Sequence, residues 1–261
     1  MKLQVLVAAV GRKPEELLSH MRLQSDAIVI NQCDRNGFQS IEQNGHEIRY
    51  YDFAEKGVGL SRNNALLRAD GDIVLFSDED IVYDDGYEEK ILREFEKNPK
   101  ADMLLFNIRV SEKRRTYYIE KEGRVRWYNC GRYPTYSFAV RREMLHRNNI
   151  TFSLLFGGGA KYSNGEDSLF IRDCLKAGLK IYCVPVEIGE ETERESTWFT
   201  GYHEKFFLDR GVLYHYLYGK FAGLFALRFI LLKKKIMCRE IPAKKAWNLM
   251  KQGIAKAKKK R

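Results

Sequence analysis

The chain has 261 residues, 44% hydrophobic and 31% charged, the make-up of a folded soluble protein with one large α/β domain or at most two small ones. No run reaches the roughly 18 uncharged apolar residues of a membrane span, the N-terminus lacks a signal-peptide layout, and five scattered cysteines without a CxxC pair support neither a disulfide framework nor a zinc knuckle; a cytoplasmic protein with reduced thiols is expected. The net charge of +10 suggests nucleic acid, but residues 220–261 carry 14 of the 45 basic side chains and one of the 35 acids, so the remaining body holds 31 bases against 34 acids, which argues against a non-enzymatic nucleic-acid binder, the rival from another class.

Apolar runs alternate with helical periodicity along the first half, the pattern of βαβ units and a mainly parallel sheet. The predicted order is strand 3–9, helix 14–23, strand 27–31, strand 48–51, helix 60–69, strand 73–77, helix 87–98 and strand 103–108. Four of these strands are continuously apolar, as when helices cover both faces of a doubly wound core. A hairpin is predicted from 116–119 and 125–127 around Glu122-Gly123, then a helix from Asn164 to about 177 and a strand at 180–184. The expected division is one folded body, 1–219, and a basic amphipathic tail, 220–261.

The run DIVLFSDED, residues 72–80, is a buried strand entering three acids. Residues two apart share a face of a strand, so Asp78 and Asp80 point together and Glu79 away. Open α/β sheets bind ligands at the carboxyl ends of their strands. Two carboxylates there suit Mg²⁺ or Mn²⁺, hard ions that share their coordination with substrate phosphates. The bland alternative is that both acids cap a turn.

Asn164-Gly165-Glu166-Asp167 opens an amphipathic helix, with Asn164 as an N-cap and the acids favouring the helix dipole. The chemical alternative makes Asp167 a general base, held ionised by a low pKa at the helix start. Gly157, Gly158 and Gly159 just before it suit a moving loop, a backbone approached by substrate, or a plain turn.

Three segments in order, GVGLSRNNALLRADGDIVLFSDED (57–80), NGEDSLFIRDCLKAGLKIYCVP (164–185) and ERESTWF (193–199), resemble the family-2 glycosyltransferases of the GT-A fold, particularly bacterial capsular and exopolysaccharide members. The resemblance implies a GT-A-like catalytic domain over 1–219 and inverting transfer of a sugar from a nucleotide-sugar donor to a saccharide or lipid-linked saccharide acceptor. It implies Asp78 and Asp80 as the metal and diphosphate motif, Asp167 as the base, Glu166 as its companion, and Ala8, Arg62 and Asn63 on the donor side. Arg62 and Asn63 would open a helix beside a Ser61 cap. His203 or His215 would complete the metal shell, and Gly158, Gly159 and Trp198 would meet the acceptor. The chain departs from the family at Ala8-Ala9-Val10-Gly11 and at Asn31-Gln32, where the nucleotide base is held. A sugar-1-phosphate nucleotidyltransferase is the rival enzyme class, but the first loop offers only Gly11-Arg12-Lys13 and no glycine cluster for a triphosphate.

In the tail, KFAGLFALRFILL (220–232) is too short to span a bilayer and long enough to lie in its interface, followed by Lys233-Lys234-Lys235 and further basic residues. An anionic membrane surface, at the inner face of the plasma membrane, is the expected partner. Packing of this segment on the body is the alternative.

Overall fold

The computed structural model describes residues 1–111, 117–192 and 201–259. Its centre is β1 (Leu3–Val10), buried along all but its last residue. Leu3, Val5, Val7 and Ala9 face a core with α1 (Pro14–Met21) and α3 (Tyr87–Lys97), while Leu6 faces a second core with α2 (Val58–Arg68) and α5 (Glu166–Lys176). A strand covered on both sides has no polar face to present, which is why its sequence does not alternate.

The remaining strands are β2 (Asp26–Gln32), β3 (Gly37–Gln43), β4 (His46–Phe53), β5 (Ile73–Asp78), β6 (Ile81–Tyr83), β7 (Met103–Arg109), β8 (Gly123–Arg124), β9 (Phe138–Arg141) and β10 (Ile181–Glu191). The sheet runs β3-β4-β2-β1-β5-β9-β7-β10-β6, with β8 also on β10. From the pairings, β4, β2, β1, β5, β7 and β10 point one way and β3, β9, β6 and β8 the other. The doubly wound, mainly parallel mixed sheet expected from the sequence is therefore present.

Several elements differ from the expectation. β3 is exposed and polar along most of its length, so it lacks the apolar signal, yet Asn44-Gly45 (φ 54° and 80°) closes a two-residue hairpin onto β4. The hairpin expected at 116–127 does not form: 117–122 are not strand, β8 pairs with β10, and Trp127 stacks on Phe221 from the C-terminal helices. Residue 116 lies outside the described residues. β9, an antiparallel strand between β5 and β7, precedes the short α4 (Arg142–Arg147). β10 runs past Pro185 because two register shifts, between Cys183 and Glu187 and between Glu187 and Gly189, absorb the residue that cannot donate to the ladder.

The C-terminal part is helical: α6 (Glu204–Tyr218), a turn at Gly219–Phe221, α7 (Ala222–Met237) and α8 (Ala243–Lys258). α6 and α8 meet backbone to backbone at two glycines. A Cβ on Gly211 would lie 2.2 Å from the Met250 carbonyl oxygen, and one on Gly253 2.1 Å from that of Leu208. Together with Phe156, Tyr162 and Leu169 from the body, these helices enclose a third core. Among the described residues, no helix is long and apolar enough to cross a membrane.

Candidate active site

The parallel pairing of β1 with β5 sets Ala8 opposite Asp78 at the carboxyl edge of the sheet. Asp78 is about one-third exposed there. The strand ends at Asp78 and Glu79-Asp80 form a turn, so the strand alternation expected over 78–80 does not extend to them. Glu79 is buried and accepts hydrogen bonds from the Val10 N–H (2.8 Å) and from Arg12 Nε (3.0 Å) and Nη2 (3.2 Å). It holds the loop after β1. Asp80 is half-buried at the corner into β6, and its carbonyl accepts the Thr192 N–H at 2.9 Å.

Arg62 lies in α2 one turn past its start, since the helix begins at Val58 and Gly57 occupies the N-cap position. The expected Ser61 cap is thus corrected: Ser61 is fully buried within the helix. Arg62 is only 4% exposed, and its guanidinium carbon sits 5.4 Å from the centre of the Phe152 ring. Nη2 donates to Asp78 Oδ1 at 2.8 Å and Nη1 to Glu166 Oε1 at 3.0 Å. Two opposed carboxylates offset the cost of burying the guanidinium, and they hold it charged. Asn63 commits both ends of its amide to the backbone of Phe152, donating to its carbonyl (2.9 Å) and accepting from its N–H (2.7 Å).

The glycine loop reaches both helix starts. The Gly158 carbonyl accepts the Val58 N–H at 3.0 Å. At Gly157 (φ 105°) a Cβ would lie 2.9 Å from the Glu166 carboxyl carbon, so the loop and Glu166 pack without room for a side chain. Gly159 has φ 79° and is exposed. Gly165, not Asn164, occupies the N-cap position of α5, with φ 109° and Leu213 of α6 only 2.4 Å from where its Cβ would stand.

Asp167 follows in the first turn of α5. Its Oδ1 accepts from the Ser168 N–H (2.6 Å) and hydroxyl (3.2 Å). Burial, and then the charge of Glu166, push its carboxyl up to about 6, outweighing these hydrogen bonds and Arg62. The low pKa expected from the helix start is therefore corrected: the first-turn dipole is a weaker effect than desolvation beside a second carboxylate.

Asp78, Arg62 and Glu166 are thus brought together, with Asp167 next to Glu166 in the chain. His203 is the N-cap residue of α6, its Nδ1 accepting the Phe206 N–H at 3.4 Å. Trp198 lies outside the described residues. No cluster of three or more metal-ligating side chains occurs among the described residues. Asp78, about one-third exposed and held by Arg62 through one oxygen only, suits a hard cation that takes one or two carboxylates and completes its shell from water and phosphate.

Asp167 also lines a cavity of about 490 Å³ formed by residues 128–134, α6 and α7, with Tyr128, Arg132, Tyr133, Arg210 and Tyr218 in its wall. Sequence reasoning missed this wall. The run WYNCGRY (127–133), aromatic and polar without strand alternation, is the signal that marks it.

The family model for glycosyl transferase family 2 matches residues 15–155. Among solved structures, Staphylococcus aureus TarS 1–349 in complex with UDP-GlcNAc is similar with a TM-score of 0.66 and 17% identity, over 97% of this chain and 81% of TarS 1–349. The mannosyltransferase PcManGT from Pyrobaculum calidifontis, in complex with GDP-Man and Mn²⁺, is similar with a TM-score of 0.55 and 14% identity, over 99% of this chain and 75% of that one. At such identities the likeness is one of fold. No curated protein matches the chain. With more than half of its length under the family model and a GT-A-like sheet that places Asp78 at a strand end, the chain belongs to glycosyl transferase family 2.

Proposed function

We propose that this glycosyltransferase moves a sugar from a nucleoside-diphosphate sugar to an acceptor hydroxyl with inversion, in the synthesis of a cell-surface polysaccharide. The observation that carries the reading is Asp167: a carboxylate raised to about 6, beside the Glu166–Arg62–Asp78 array at the sheet edge. Such a base is mostly ionised at neutral pH and strong enough to accept a hydroxyl proton as that oxygen attacks. In one displacement the acceptor oxygen bonds to the anomeric carbon and the bond from that carbon to the phosphate oxygen breaks. Its electron pair leaves with the nucleoside diphosphate, and the proton passes to Asp167.

Asp78 and Asp80 would hold Mn²⁺ or Mg²⁺, which when bound supplies positive charge to the leaving diphosphate. Arg62 keeps Asp78 and Glu166 in place. The neighbours support a nucleotide-sugar donor, since TarS carries UDP-GlcNAc and PcManGT carries GDP-Man with Mn²⁺ in their structures.

The enzyme works as a peripheral protein at the inner face of the plasma membrane. In support, α7 leaves Leu224, Leu227 and Leu231 exposed at helical spacing, with Lys233, Lys234 and Lys235 following.

The test is a panel of nucleotide sugars, each with and without Mn²⁺ or Mg²⁺, scored for nucleoside diphosphate release and for the anomeric configuration of any glycoside formed. Release from at least one donor, with an inverted product, is expected. A retained configuration would overturn the single-displacement role of Asp167.

A further inference from the structure

The cavity at Asp167 has a charge pattern that the transfer reaction alone does not require. Its other charged lining residues are all cations, Arg132, Arg210, Arg228 and Lys233, and Asp167 is its one carboxylate. None of the four cations forms an ion pair with a carboxylate among the described residues. Arg210 is clamped between the rings of Phe206 and Phe229, its guanidinium carbon 5.0 and 5.1 Å from their centres, and its Nε is buried without a hydrogen-bond partner. Arg210 is half-buried and Arg132, Arg228 and Lys233 are exposed, so the cavity presents unpaired cations to whatever enters it, and an anion there would gain charge-assisted hydrogen bonds. By contrast, the buried Arg62 is matched by two carboxylates.

The walls supply the complementary contact. Tyr128, Tyr133 and Tyr218 present rings and hydroxyls, the amphipathic surface that a sugar face needs. At about 490 Å³ the space lies within the range of ligand clefts, roughly 300–1,000 Å³. Four cations against one carboxylate exceed what a single carboxylate of a uronic acid would neutralise. A phosphate or diphosphate answers both the excess and the planar forks of the arginines.

We propose that this cavity is the acceptor site and that the acceptor is a saccharide bearing a phosphate or diphosphate, its anion gripped by Arg210 and Arg228 and its attacking hydroxyl at Asp167. The proposal rests on the reading of Asp167 as the base. The same chemistry is offered by a free sugar phosphate and by a lipid-linked one. The lipid source is favoured by Leu232, Lys233 and Met237 of α7, which line the cavity on the helix that carries the exposed leucines.

The experiment uses the full chain and the donor that gives the highest nucleoside diphosphate release. Acceptor probes are hexose 1-phosphates, the matching methyl hexosides, and polyprenyl-phosphate hexoses in phosphatidylcholine vesicles. The phosphorylated probes are expected to show kcat/KM at least about 10-fold above the methyl hexosides, corresponding to one or more charge-assisted contacts. Arg228→Gln, at an exposed position, and Arg210→Gln should each raise KM for phosphorylated probes about 10-fold and so collapse the selectivity ratio, with folding checked by circular dichroism. A further gain for the polyprenyl form assigns the lipid source, and equal rates for both phosphorylated forms assign the free sugar phosphate. Equal use of methyl hexosides and phosphorylated probes, or an Arg228→Gln variant with unaltered selectivity, overturns the proposal. Absence of nucleoside diphosphate release from every donor would instead overturn the transferase mechanism on which it rests.

Discussion

Arg62 joins Asp78 and Glu166 through one guanidinium, at 2.8 and 3.0 Å, although these partners lie 16 and 104 residues away in the chain. The strand-end carboxylate and the start of α5 are therefore spaced by a single buried side chain. Arg62→Met should destabilise the fold by about 3–5 kcal/mol, because it leaves two carboxylates facing each other without their cation. Arg62→Lys keeps the charge but not the fork, so it should recover part of the stability while kcat stays reduced at least about 10-fold. Urea unfolding and steady-state kinetics on both variants test this, and a lysine variant with full activity would show that the bridge does not set the geometry.

Asp167→Asn should lower kcat on the order of 10²-fold or more while leaving the affinity for the nucleotide sugar near that of the parent, since a base acts on the attacking hydroxyl. Isothermal titration with the donor separates the two effects. Near-parental turnover would reduce Asp167 to a helix-start acid.

The acid limb of the rate profile should follow the same carboxyl. With its pKa raised to about 6, activity should fall about tenfold per pH unit below that value and level off above it. The stability consequence has the opposite sign. The folded state binds this proton more tightly than an unfolded aspartate does, so the contribution of Asp167 to stability is lost as pH rises from about 4 through 6. Above pH 6, Asp167→Asn should therefore be more stable than the parent by on the order of 1 kcal/mol. A profile flat down to pH 5, or an Asn variant that melts lower at pH 8, contradicts the assignment.

Removal of the divalent cation with EDTA should abolish transfer, and Mn²⁺ or Mg²⁺ should restore it. Asp80→Asn should raise the cation concentration needed for half-maximal activity at least about 10-fold, as expected for loss of one of two protein carboxylates. Undiminished turnover in excess EDTA would remove the cation from the mechanism.

Leu224→Gln combined with Leu231→Gln changes exposed positions and should leave the melting temperature nearly unaltered. It should weaken co-sedimentation with phosphatidylglycerol vesicles on the order of 10-fold or more, and the parent should be released by salt. Equal recovery of both proteins in the pellet would detach α7 from the membrane role.

The parallel core was legible because short apolar runs such as residues 3–10, broken only by Gln4, alternate with helical patterns and read as strands covered on both faces. β3 and β9 were not. β3 is an exposed edge hairpin arm whose only mark is Asn44-Gly45, and the short β9 takes its place from the long-range pairings to β5 and β7. At the site, Asp78, Glu166 and Asp167 stood out as acids at element ends. That Arg62 is buried between two of them depends on α2 beginning at Val58, a boundary shifted by two residues from the periodicity. The cationic cavity was hidden because its charges come from residues 128–134, α6 and α7, which no local pattern connects.

The glycine crossing of α6 and α8 reaches further than the stability of the C-terminal helices. Leu213, two residues beyond Gly211, fills the place of a side chain at Gly165, immediately before Glu166 and Asp167. A residue larger than glycine at position 253 must displace α6 or α8, and a shift of α6 would bear on the start of α5. α8 thus reaches, through Gly211 and Leu213 of α6, the glycine that opens the helix of Glu166 and Asp167. If Asp167 is the base, substitutions at this glycine crossing should change the reaction rate as well as the stability of the C-terminal helices.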